Sequence, residues 1–176
     1  MILRGRLARL KGLVPAAVAI AGIGVAFQLG GIRVNASSSL PVGLYRTTSD
    51  KSARLIEFCP VEPFASMSSS RGYRGKGNCP DGFEPLMKPI VAVAGDTVEV
   101  SPRGIAVNGR LLPNSAPRRF DTKNRQLQIW PFGTYSVAPR TAWVISSFNA
   151  RSFDSRYFGP VPISSIWSHL RPLLTE

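Results

Sequence analysis

Leu86-Met87-Lys88-Pro89-Ile90-Val91-Ala92-Val93-Ala94 is the run that decides the fold of this chain. It is apolar apart from Lys88 and Pro89, and Gly95-Asp96 closes it with a turn. A short apolar run bounded by turn residues reads as a β-strand. Thr97 to Val100 makes a second strand, and Pro102-Arg103-Gly104 turns into Ile105-Ala106-Val107. Asn108-Gly109 is then a hairpin signal before Arg110-Leu111-Leu112. The same punctuation recurs on both sides. Leu55 to Phe58, Tyr135 to Val137, Thr141 to Ser146, Ile163 to Trp167 and Leu170 to Leu174 are strand candidates. Residues 60–85 read as a long loop rich in Ser, Gly, Pro and Arg, and residues 113–127 as a polar, basic insertion or flap. With no internal repeat, and no long amphipathic helix after the first thirty or so residues, the expected fold is mainly β.

Composition narrows the class. A chain of 176 residues can bury one core, and 44% hydrophobic against 18% charged residues excludes a disordered chain. The net charge of +12 invites a nucleic-acid reading, but its distribution argues otherwise. Arg4, Arg6, Arg9 and Lys11 cluster ahead of an uncharged stretch, Gly12 to Leu29. The other basic residues are scattered in short groups such as Arg71, Arg74 and Lys76. No long basic tract or DNA-reading module is present, so no nucleic-acid partner is expected. A membrane span needs about 20 apolar residues, and the run extended to Ile32 reaches that length. Residues 1–11 are therefore read as a basic cytoplasmic segment, 12–32 as a transmembrane anchor and 33–176 as an exported domain. The remaining positive charge fits a surface facing anionic lipid. A cleaved signal peptide ending near Val34-Asn35-Ala36 is the rival reading.

Cysteine usage agrees with export. Cys59 and Cys79, each followed by proline, would pair in an oxidising compartment and contribute about 3 kcal/mol in chain-entropy terms. Two buried thiols are the alternative. One histidine and two cysteines at this spacing make no metal site, and no cofactor is expected.

Hydrolytic chemistry has few options here. A Ser-His-Asp triad would need His169, which sits near the carboxyl terminus with no nucleophile elbow in the chain. A solvated or core-edge histidine is the better reading of it. Lys88 remains. On a strand, alternation puts it on the face of Leu86, Ile90 and Ala92, where desolvation lowers an ammonium pKa. A neutral amine can then take a proton from a serine hydroxyl.

Three motifs carry a family resemblance. Asn35-Ala36-Ser37-Ser38-Ser39-Leu40-Pro41-Val42-Gly43-Leu44-Tyr45 resembles the nucleophile segment of type I signal peptidases, and more closely that of their conjugal-transfer (TraF-type) branch. Lys88 with Val91, Val93 and Gly95-Asp96 resembles the lysine box. Asn149 and Ser152-Phe153-Asp154-Ser155-Arg156-Tyr157-Phe158-Gly159 resemble the third box. The resemblance implies a signal-peptidase-like β catalytic domain, periplasmic, behind one helix in the bacterial inner membrane. It implies Ser39 as nucleophile, Lys88 as general base and Ser37 as an oxyanion-hole hydroxyl. Ser152 would orient the lysine, Asp154 would matter for activity, and Arg156 would support it as an ion-pair partner; a buried Asp154–Arg156 salt bridge with no direct role in the chemistry is the alternative. Ser147-Phe148-Asn149 departs from the Gly-Asp-Asn of bacterial leader peptidases, so substrate contacts are not carried over from that region.

The implied substrate is a pilin precursor, cut after an Ala-x-Ala-like sequence during conjugative pilus assembly, with water or an amine resolving the acyl-enzyme. A general signal peptidase, an inactive β scaffold of the transfer apparatus and a DNA-contacting transfer protein are the competing functions.

Overall fold

The structure, a computed structural model, describes residues 30–176. The basic segment 1–11 and residues 12–29 of the expected anchor lie outside the described residues. Gly30 and Gly31 form a turn, and Ile32, the last residue of the expected span, opens the first strand. No helix among the described residues is long and apolar enough to cross a membrane.

Eleven strands form two antiparallel sheets. The strands are β1 (Ile32–Asn35), β2 (Gly43–Thr48), β3 (Leu55–Phe58), β4 (Leu86–Val93), β5 (Thr97–Ser101) and β6 (Gly104–Val107), then β7 (Arg110–Leu111), β8 (Gly133–Ser136), β9 (Thr141–Val144), β10 (Val161–Pro162) and β11 (Ile166–Thr175). The larger sheet runs β1-β2-β11-β3-β4-β9-β10 and the smaller β7-β6-β5-β8. The two carboxyl-terminal strand candidates are one ten-residue strand, β11, preceded by a 3-10 turn at Ile163–Ser165. It inserts between β2 and β3, so the end of the chain closes the middle of the sheet.

β4 links the two halves of the core. Leu86 and Lys88 are buried on it, and Ile90 packs against a cluster that includes Ile56, Phe58, Val144 and Phe158. The expected face ends there. Pairing with β9 shifts register between Ile90 and Ala92, and Ala92 joins a second cluster with Val98, Ile105 and Trp143. Strict alternation therefore fails at Ala92, because an irregularity turns the strand's inward residues from one cluster to the other.

Both long loops are more structured than their composition implied. Residues 60–85 contain a short helix, α1 (Phe64–Ser70), and Cys59 pairs with Cys79. No side-chain cap marks the start of α1 and three serines end it, so helix signals are absent from the sequence there. Arg74 is buried beneath it, donating to Ser68 Oγ at 2.8 Å and the Ala65 carbonyl at 2.9 Å, and pairing with Asp81. Residues 113–127 are pinned rather than free. Buried Ser115 donates to the Leu112 carbonyl at 2.6 Å and accepts from the Ile105 amide at 2.9 Å, and Leu127 enters the first core cluster.

Candidate active site

The segment expected to carry the nucleophile is a turn between β1 and β2. Its shape is set by Asn35, the last residue of β1, which is buried. Asn35 Nδ2 donates to the carbonyls of Ser37 (3.0 Å), Leu40 (3.2 Å) and Pro41 (3.0 Å). Its Oδ1 accepts from the Ser37 amide at 3.1 Å and from Ser37 Oγ at 2.8 Å. Tyr45 OH holds the Pro41 carbonyl at 2.6 Å. Gly43 has φ +147°, and a Cβ there would meet the Leu174 carbonyl oxygen, which explains glycine in the Pro-x-Gly-Leu-Tyr turn. The family resemblance implies no role for Asn35; its place beside a Ser-rich turn is the one local signal of it.

Ser37, Ser39 and Lys88 line one cavity of about 430 Å³, together with Glu57, Arg151 and Phe153. Ser39 is half-buried, and Lys88 is 3% exposed. Burial pulls the Lys88 ammonium down from the ordinary 10.5 to about 8, with the Asp154 carboxylate opposing that shift and the Arg156 guanidinium adding to it. Lys88 thus has the desolvated setting that a lysine base requires.

The third box lies behind the lysine. Asp154 caps α2 (Ser155–Phe158) and pairs with Arg156 at 2.7 Å, both fully buried. The second Asp154 contact reaches forward: its Oδ2 accepts from the Ser146 amide at 3.0 Å. Ser146 Oγ in turn donates to the Ser39 carbonyl, and Asn149 Nδ2 donates to Ser38 Oγ at 2.7 Å. Arg156 spends its remaining donors on the carbonyls of Asn114, Asn149, Ala150 and Ser152. Asp154 and Arg156 therefore hold the loop that clasps the turn carrying Ser38 and Ser39. Ser146 was missed, because nothing local distinguishes it in Ile145-Ser146-Ser147.

Two residues sit differently from their expected roles. Ser152 Oγ is buried and has no hydrogen-bond partner among the described residues, so its bond to Lys88 is not formed here. The Ser37 hydroxyl donates to Asn35, and would have to rotate away to face an oxyanion. His169 is buried on β11 with Nδ1 against the Ala53 carbonyl at 2.8 Å, outside the cavity. Among the described residues no cluster of His, Cys, Asp and Glu could hold a metal.

An antiparallel β domain with these three boxes defines a class, and the comparison with family models agrees: residues 7–173 match the model "Signal peptidase, peptidase S26". The chain belongs to that peptidase family. Within it, the chain is 38% identical over 168 residues to a plasmid transfer protein TraF of Escherichia coli, covering 93% of this chain and 94% of that one. It is 36% identical over 165 residues to the conjugal transfer protein TraF of Agrobacterium fabrum, covering 91% and 92%. Among solved structures, a signal peptidase I from Enterococcus faecalis aligns with 71% of this chain and 99% of that one, at 21% identity and a TM-score of 0.38.

Proposed function

We propose that this chain is a Ser/Lys endopeptidase that matures a pilin precursor at the outer face of the bacterial inner membrane during conjugative plasmid transfer. The observation that carries the reading is the buried Lys88 amine, depressed to about 8, in the cavity that Ser39 also lines. Neutral Lys88 takes the Ser39 proton as Ser39 Oγ attacks the scissile carbonyl. The oxyanion is held by the Ser39 N–H and by a Ser37 hydroxyl turned away from Asn35; one such donor is worth roughly 3 kcal/mol. The protonated lysine then gives its proton to the departing amine, and water or another amine releases the acyl group. Conjugation is supported by the TraF relatives, which match along most of the chain.

Site and surface suit an extended, membrane-borne substrate. β1 is an edge strand, and its Arg33, Val34 and Asn35 line the cavity, so a substrate strand can pair along it. Val34 lies opposite Leu44, and Leu44 opposite Leu174, across β1, β2 and β11. Val34 and Leu174 are largely exposed, as are Val42 and Leu173, which gives the domain an apolar end beside the residues that follow the expected anchor.

The deciding experiment co-expresses the chain with a pilin precursor of its transfer system. Ser39→Ala and Lys88→Ala are each expected to abolish processing while the protein still accumulates in the membrane. Processing that survives Ser39→Ala would refute the mechanism and turn attention to Ser38.

A further inference from the structure

A second cavity adjoins the first and has no part in the chemistry described above. It measures about 130 Å³ and shares Tyr73, Arg151 and Phe153 with the catalytic cavity. Its walls are largely apolar. Phe153 stacks on Tyr157 with ring centroids 5.7 Å apart, Tyr73 leans on Phe153 at 5.1 Å, and Leu127 and Phe120 complete the lining. Phe120 is 49% exposed, a large ring left at the surface beside a vacant apolar space.

The polar groups around this space divide into satisfied and unsatisfied ones. Asp121, the one acid in the lining, is fully engaged: Tyr73 OH donates to it at 2.6 Å and Arg125 Nε at 2.7 Å, with the amides of Lys123 and Arg125 at 2.9 Å. Its charge is already neutralised. Arg118 and Arg151 are exposed at the rim, and neither guanidinium has a hydrogen-bond or ion-pair partner among the described residues. Only their backbones are held: the Arg118 amide donates to Tyr157 OH at 3.1 Å and the Arg151 amide to Asn149 Oδ1 at 2.8 Å. The result is an apolar socket with two unpaired cations in its lining, sharing Tyr73, Arg151 and Phe153 with the cavity that Ser39 and Lys88 line. Its complement is an apolar side chain adjacent to a carboxylate.

We infer that this cavity is a substrate subsite that selects a bulky apolar side chain next to a carboxylate near the scissile bond. The inference rests on the peptidase reading for its place in the reaction. The carboxylate can come from an Asp or Glu side chain or from a chain terminus. It adds a second determinant to small-residue recognition at the catalytic cavity, and gives a domain of few acidic residues a way to choose among exported chains.

Binding separates this inference from catalysis. Full-length Ser39→Ala protein in detergent is titrated with fluorescent peptides in which a Phe-Glu pair is moved stepwise along both flanks of an Ala-x-Ala site. Phe-Lys, Phe-Gln and Gly-Glu counterparts are the controls. Each peptide is made with an amidated and with a free carboxyl end, so that side-chain and terminal carboxylates are distinguished. In one register, Phe-Glu is expected to bind roughly 10-fold tighter than Phe-Lys, about what two partly exposed ion pairs supply. Tighter binding only of the free-acid peptides would assign the cations to a chain terminus. Arg118→Glu with Arg151→Glu is expected to reverse the preference toward Phe-Lys, a gain that a misfolded variant would not show. Phe120→Ala is expected to erase most of the advantage of Phe-Glu over Gly-Glu. Equal binding of Phe-Glu and Phe-Lys in every register, or a preference that persists in the double Glu variant, would overturn the subsite. Should that selectivity appear while protein with Ser39 intact cuts none of the peptides, the peptidase reading falls and the subsite stands.

Discussion

Lys88 carries opposed demands. In the proposed role its amine must lose a proton to act as a base, and burial eases that loss at a cost in stability. An amine that ionises near 8 predicts that kcat/KM climbs as pH rises through about 8 and then levels, measured with a peptide substrate. The linkage has a definite sign. The unfolded lysine keeps its proton to about 10.5 and the folded one to about 8, so between these values the unfolded chain binds more protons. Stability therefore rises with pH across that window, and the gain is lost as pH falls through 8. Lys88→Met is expected to be inactive yet to raise the thermal midpoint at neutral pH by a few degrees, read by calorimetry. Asn35 makes the complementary case among polar residues. Asn35→Asp keeps the acceptor for Ser37 and loses the three donated bonds; Asn35→Ala loses all five. The expected order of kcat is wild type, Asp, then Ala, with the Ala variant down roughly 10- to 100-fold and KM less affected.

At the scale of elements, the site is a strand, a turn and a loop drawn together by one ion pair. Asp154 does two separable things: it satisfies Arg156 and the Ser146 amide, and its charge favours the protonated form of Lys88. Asp154→Asn is expected to cost on the order of 3 kcal/mol in denaturant unfolding, because a buried guanidinium loses its counter-ion. In whatever activity remains, the pH profile should move to lower pH, since the group opposing deprotonation of Lys88 is gone. A purely structural aspartate would give the first effect without the second. The cap between β3 and β4 is a second such unit. Its disulfide joins residues 20 apart, and Tyr73, Arg74 and Glu84 from this region line the cavity. Cys59→Ser with Cys79→Ser is expected to lower stability by about 3 kcal/mol and to raise KM more than it lowers kcat. Thiol labelling of intact protein should be silent until reductant is added.

Across the whole molecule, the larger sheet sets the cavity of Ser39 and Lys88 next to an apolar end built from β1, β2 and β11. Leu173→Asp with Leu174→Asp, both exposed and neither lining the cavity, tests whether this end meets lipid. Processing of a membrane-embedded precursor should fall severalfold, while cleavage of a soluble peptide by the same protein in detergent should not change. Equal losses on both substrates would mean that the patch serves the fold rather than the membrane. The carboxyl terminus contributes to this surface directly, because β11 closes the sheet between strands formed early in the chain.

Sequence alone determined what is local. Turn residues, short apolar runs and the Asn108-Gly109 hairpin mark most of the strands, and the boxes around Ser39, Lys88 and Ser152 to Gly159 mark the family, since both depend on neighbours a few residues away. Tertiary structure decided everything that joins distant segments. The bulge that sends Ala92 to the second cluster, the insertion of β11 between β2 and β3, and the α1 cap have no local signature, because long-range pairing sets them. The same holds for Ser146, which lies 107 residues from the Ser39 carbonyl it binds, and for the donors of Asn35, whose carbonyl partners are in place only once the turn has formed. The depressed Lys88 amine belongs to both: alternation marks the residue, but only tertiary packing removes the water that would keep it charged.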